Sequence, residues 1–256
     1  MSTFKDQIGH TLRLKHPPKR IISLVPSQSE FLWDLGLRKK LVGITKFCIH
    51  PHTWFTSKPH IGGTKQFNPD VVNSLAPDLI IGNKEENYRE GIEILQRYFP
   101  VWMSDIYDLA GALAMIRAIG QLTDTDTRAS QLAGDIEAAF AALRRHDRRS
   151  VLYLIWRKPW MAVGRNTFID SQLRYLGFDN CVTGSRYPEL AVEEVRRLSP
   201  DLIFLSSEPY PFREKHMAEL QDLCPASKVM LVDGEMFSWY GSRLLQAPAY
   251  FNSLIF

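Results

Sequence analysis

Two eleven-residue stretches, VVNSLAPDLII at 71–81 and EVRRLSPDLIF at 194–204, share the pattern Leu-x-Pro-Asp-Leu-Ile at a spacing of 123 residues. Each leads from an amphipathic segment into a short apolar run, the passage expected from a helix into a strand buried on both faces of a parallel sheet. Repeated at nearly half of a 256-residue chain, the pattern predicts two lobes of like β/α build.

The flanks extend both lobes. RIISLV (20–25) reads as a first buried strand, Ser27 and Glu30 stand at capping-box spacing, and Gly36 offers a stop. Leu41–Ile44 makes a second strand, and the Pro- and Gly-bearing stretch 45–68 reads as loop. Asn68-Pro69 starts a helix, DLIIG follows as strand, then a helix over 87–98 and the strand VWM. In the second half VLYLIW, DLIFL and VMLV are strands. Thr167–Leu176 and Val192–Leu198 are helices, and a closing helix from Gly241 is interrupted at Pro248. Between the halves a helix over 108–122 precedes one long helix, Thr125–His146, whose terminal arginines suit the negative end of a helix dipole. The predicted boundaries are an N-terminal lobe at 1–103, connecting helices at 104–147 and a C-terminal lobe at 148–256.

Composition excludes several functions. With 45% hydrophobic and 23% charged residues and a net charge of +3, the chain has the balance of a folded domain. No Lys/Arg run interleaves with stacking aromatics, so no nucleic-acid partner is expected. Cys48, Cys181 and Cys224 form no CxxC pair. Neither a signal-peptide core nor an 18-residue apolar run is present, and Met1-Ser2-Thr3 reads as a native start. Gly62-Gly63-Thr64-Lys65 lacks the earlier glycine of a phosphate loop, and no hydrolase, zinc-protease or dinucleotide motif occurs. His50, His52 and His60 could together hold a metal ion, without a diagnostic ligand spacing.

Ligands of open parallel sheets bind at the carboxyl ends of the strands. Aromatics gather at those places: Phe47, Trp54 and Phe55 after the second strand, Trp156 and Trp160 after VLYLIW, and Phe237, Trp239 and Tyr240 after VMLV. Trp160, Trp239 and Tyr240 occupy turn-like sequence and are expected to wall a ligand.

RIISLVPSQSEFLWDLGL, LVGIT, Pro51 and IGGTKQFNPDVVNSLAPDLIIG closely resemble the opening lobe of the cobalamin-binding proteins of ABC importers, in the helical-backbone metal-receptor superfamily. AVEEVRRLSPDLIFLSSE and WYGSR resemble that family's second lobe. The resemblance implies two Rossmann-like lobes with parallel sheets joined by one long backbone helix, a class III periplasmic-binding-protein-like fold. It implies a cleft that clasps cobalamin, haem or a ferric siderophore, with no catalysis and no required cofactor. Carried over by position, Phe47 and His50 line the ligand face, Lys65 and Gln66 a polar edge, Met161 or Trp160 the second wall, and Trp239 to Arg243 the final pocket loop. Lys84 is a further candidate contact. Asp70 and Glu193, also 123 residues apart, are the implied docking carboxylates for a dimeric permease. The implied protein is a monomer working outside the cytoplasmic membrane; without a leader it would be a cytosolic carrier, sensor or enzyme on the same fold.

Overall fold

The computed structural model describes residues 2–254, so Met1, Ile255 and Phe256, at the limits of the two predicted lobes, lie outside the described residues. The chain divides into two compact units. The first holds residues 1–105, 110–137 and 240–245, and the second holds 106–109, 138–239 and 246–256.

In the first unit a hairpin of β1 (Ser2–Lys5) and β2 (Thr11–Leu14) precedes β3 (Ile21–Ser23), α1 (Pro26–Asp34), β4 (Leu41–Ile44), α2 (His52–Ser57), α3 (Pro69–Ser74), β5 (Leu79–Asn83), α4 (Arg89–Gln96) and β6 (Val101–Ser104). The four-stranded sheet runs β4-β3-β5-β6, all parallel. Ile21, Ile22, Leu79, Ile80, Ile81 and Val101 are fully buried, as strands covered on both faces require. The hairpin was not legible in the sequence. It covers the β6 edge, where Gln7 N–H donates to Met103 O and the buried Asp6 carboxylate accepts from Met103 N–H. Edge strands need such cover against stray pairing.

Two helices follow, α5 (Leu109–Thr123) and α6 (Asp126–Ala141), and the division between the units falls within α6. The predicted long helix overruns α6 by five residues at its C-terminal end. Its last turn tightens through Leu143 N–H to Phe140 O, and the chain then finds other partners. Arg144 N–H donates to Asn252, His146 N–H to Leu176 O, and the His146 ring stacks on Phe178. The arginines after Ala141 thus lie beyond the helix rather than on its final turn.

The second unit contains β7 (Ser150–Trp156), β8 (Trp160–Ala162), α7 (Phe168–Leu176), β9 (Asp179–Asn180), β10 (Glu189–Leu190), α8 (Val192–Leu198), β11 (Leu202–Ser206), α9 (Glu214–Leu223), β12 (Lys228–Val232), α10 (Gly234–Ser238), a 3-10 turn at Ser242–Leu245 that belongs to the first unit, and α11 (Ala247–Ser253). Its sheet runs β10-β8-β7-β11-β12 with β9 also on β7. β9, β7, β11 and β12 are parallel, while β8 and β10 add an antiparallel extension that the expected all-parallel sheet lacks.

The internal repeat is structural. α3 and α8, β5 and β11 begin 123 residues apart, as do the left-handed residues Ala76 and Ser199 before each proline. The aspartates that follow do the same work. Asp78 accepts from the backbone N–H of Lys19 and Arg20 at the start of β3, and Asp201 from Ser150 N–H and Oγ at the start of β7.

Three local expectations need correction. α1 starts at Pro26 behind Val25 with no side-chain cap, so Ser27 sits inside the first turn and is no N-cap. The stretch 45–68 contains α2, because Trp54 buries its ring against Trp33 at 5.0 Å and gives the segment an apolar anchor. Pro248 lies in the first turn of α11, where its missing N–H costs nothing, so it opens a helix rather than interrupting one.

Candidate functional site

In parallel sheets the strand carboxyl ends carry the site, and each unit presents its own set of loops there. In the first unit a layer of buried amides and hydroxyls fixes them. Gln28 Nε2 and Asn83 Nδ2 donate to Ser104 Oγ, and Asn83 N–H donates to Asn87 Oδ1. Asn87 Nδ2 reaches Thr64 O at 2.9 Å, tying the loop at 62–67 to the end of β5. That loop turns sharply: Gly62 has φ +110 and a Cβ there would overlap the Gln66 carbonyl, so only glycine serves.

Phe47 leaves the end of β4 and is 51% exposed. Its ring lies beside Gly63, where a Cβ would stand 3.3 Å away, with the Lys46 ammonium 5.2 Å from the ring centroid. The structure therefore brings Phe47, Lys65 and Gln66 together on one rim, the last two exposed. Lys84 follows β5 and pairs with Asp105 at 2.7 Å. His50 is half-buried before the cis bond to Pro51.

The metal reading of the histidines is not supported. The Phe55 ring packs 6.2 Å from His52 and 5.0 Å from His60, and His60 Nε2 lies 2.8 Å from the Phe55 carbonyl oxygen. Among the described residues no group of three or more His, Cys, Asp or Glu is arranged to hold a metal ion.

In the second unit the expected wall changes identity. Trp156, the last residue of β7, is 40% exposed, whereas Trp160 is buried in the core with Phe212 stacked on it at 6.3 Å. The segment read as a turn is the strand β8, in which neighbours point to opposite faces. Met161 pairs directly with Trp156 and so shares its face, while Trp160 turns inward. Of the two candidates at this wall, the strand alternation favours Met161. Trp156 is backed edge-on by Tyr210 at 5.5 Å, and Tyr210 rests on Phe212 and His216. Arg157 forks onto Glu219 at 2.7 and 2.8 Å, holding the β7–β8 turn to α9. Sequence reasoning missed Tyr210; the only hint was an aromatic flanked by two prolines just after a strand.

Trp239, Tyr240 and Arg243, expected at the ligand, are each engaged by a carboxylate. Trp239 is buried and donates from Nε1 to Glu208 at 3.0 Å. Tyr240, back in the first unit, is buried and donates to Glu86 at 2.9 Å; burial, then the Glu86 charge, pushes its phenol well up. Arg243 grips Glu30 with two bonds of 2.9 and 2.6 Å. The sequence showed the polar ends of these side chains but not the carboxylates, 213 positions away in the case of Glu30, that consume them.

Glu208 is a further group that sequence reasoning passed over. Burial pushes its carboxyl up from the ordinary glutamate value of 4.5, and Glu235 and Asp233 add like charge, against hydrogen bonds from Ser238 Oγ and Trp239 Nε1. The folded state thus holds this proton more tightly than the unfolded chain does. Stability falls as pH rises from the ordinary value through the raised one. Glu208→Gln keeps an acceptor for both donors, so the variant should be more stable than the parent above that window and equal below it. Melting midpoints across pH check this, and a variant less stable at neutral pH would contradict it.

Asp70 and Glu193 are exposed and each is the second residue of its helix, α3 or α8. No helix among the described residues is long and apolar enough to cross a membrane.

A family model described as periplasmic binding protein matches residues 21–222. The chain is 23% identical over 197 residues to a vitamin B12-binding protein of Vibrio campbellii, covering 74% of this chain and 71% of that one. It is 24% identical over 214 residues to YvrC of Bacillus subtilis, an uncharacterized ABC transporter substrate-binding lipoprotein, covering 78% and 68%. The periplasmic heme-binding protein RhuT from Roseiflexus sp. RS-1, in apo form, superposes with a TM-score of 0.79 at 23% identity, over 91% of this chain and 98% of that one.

Proposed function

Since this chain belongs to the periplasmic binding protein family, we propose that it is a solute-binding protein that holds a corrinoid or related metal-chelate ligand and delivers it to an ABC importer outside the cytoplasmic membrane. The observation that carries this reading is the backed, exposed aromatic Trp156 on one set of strand ends and the Phe47 rim on the other. Large flat chelates need apolar walls, to which Met161 adds on its own unit, and a few polar groups of the kind Lys65 and Gln66 offer on theirs. The relatives named for vitamin B12 and heme give the ligand class its support. In this reading the chain carries no resident cofactor and performs no catalysis, in keeping with a family of solute-binding proteins.

Cyanocobalamin, hemin and a ferric siderophore, each tested by melting shift beside zinc chloride, separate the alternatives. A shift with one chelate and none with zinc is expected; a shift with zinc alone would overturn the reading. Asp70 and Glu193 serve as the permease-docking carboxylates, and rim charges of this kind set association more than ligand affinity. Asp70→Lys with Glu193→Lys should abolish co-purification with the importer and leave chelate affinity unchanged. Loss of chelate binding in that double variant would remove the docking role.

A further inference from the structure

The chain's positive charge is unevenly placed: residues 1–46 hold nine lysines and arginines against three acids, although the whole chain is only +3. Much of this excess lies at the amino ends of the first unit's strands, opposite the loops described above. Ile21 N–H donates to Lys40 O and Asp78 N–H to Arg20 O, so the residues leading into β3 and β4 stand side by side. Lys58 Nζ reaches Arg38 O at 2.9 Å, and Lys40 Nζ reaches Thr123 O at 3.3 Å, drawing two further segments to the same end. The Arg38 guanidinium stacks 3.7 Å from the centroid of the half-buried Trp33. The acids at this end are fewer: Asp34, Asp124 and Asp126, with Asp78 spent on the backbone N–H groups of Lys19 and Arg20.

We infer that this face, centred on Lys19, Arg20, Arg38, Lys39, Lys40 and Lys58, binds the surface of an anionic phospholipid bilayer. Cations spread over several segments, with Lys19 and Lys39 exposed, suit a diffuse negative surface rather than one shaped anion. An arginine lying on a tryptophan that still reaches solvent is the pairing favoured at headgroup depth. Position also fits. Arg20 bonds the Leu75 and Ala76 carbonyls at the carboxyl end of α3, while Asp70 sits at the amino end of the same helix. A bilayer held by the basic face therefore leaves the first unit's strand-end loops turned away from it, free to capture ligand before docking. That role rests on the proposed function; the lipid binding does not.

The test is sedimentation of the whole chain with phosphatidylcholine vesicles with and without phosphatidylglycerol, at low and high salt. Binding should require phosphatidylglycerol, fall with salt, and drop by at least about tenfold in Lys19→Glu with Lys39→Glu. Neither side chain is buried, so melting midpoints should match the parent. Lys215→Glu in the second unit serves as the control and should leave binding near the parent value. Equal sedimentation with both vesicle types, an equal loss in the control, or tight binding to a nucleic-acid oligomer with none to vesicles would overturn the inference. Chelate binding measured on the same samples reports separately on the proposed function.

Discussion

Arg243→Ala is expected to unfold this protein far more readily than to empty its binding site. Arg243 and Glu30 are joined by two hydrogen bonds and are only 10% and 15% exposed. Truncating one partner strands the other charge away from water, which typically costs about 3–5 kcal/mol. In a chain of this size that lowers the melting midpoint on the order of 10 °C. The same pair seats residues 240–245 against α1, where Gly241, at φ +131, packs so closely that a Cβ would stand 3.0 Å from that of Phe31. Replacing both partners by methionine should recover most of the loss, since a buried ion pair and an apolar pair of like volume are close in energy. Calorimetry on the parent, both single variants and the double variant measures this. If Arg243→Ala melted like the parent but lost chelate affinity, the arginine would be a ligand contact after all.

Trp156→Ala and Trp160→Ala should separate cleanly, although the two residues are four apart. Trp156 is the exposed ring braced by Tyr210, so its removal should lower chelate affinity by more than about 30-fold with little change in stability. Trp160 belongs to the second unit's core and touches Phe212, so its truncation leaves a cavity costing about 3–5 kcal/mol of stability. Titration and denaturant melts on both variants test the assignment. A stable Trp160→Ala protein that had lost ligand would reverse it.

How the sequence succeeded and failed follows from the range of the interactions involved. The β/α alternation, the 123-residue repeat and the Asn68 cap were readable because each is encoded within a few residues. Phe47, Lys65 and Gln66 were named through the family resemblance alone, and the structure adds that Phe47 packs beside Gly63 in the turn that carries the other two. What was hidden depends on distant partners. The Phe4-bearing β1 hairpin is organised by the β6 edge it covers, about a hundred residues on. Trp239, Tyr240 and Arg243 look like open aromatic and cationic contacts until Glu208, Glu86 and Glu30 are placed beside them. Trp160 was misread because β8, held in place by antiparallel pairing with β7, was taken for a turn, so its alternation of inward and outward faces went unseen.

The most direct measurement of the central claim is an equilibrium titration of cyanocobalamin, hemin and a ferric siderophore into the parent protein, following ligand absorbance and indole fluorescence together. The account predicts saturable binding of one chelate per chain with quenching of the indole signal, the affinity and quench both lost in Trp156→Ala and weakened in Phe47→Ala. Absence of saturable binding by every chelate, or tight binding left unchanged in both variants, would contradict it.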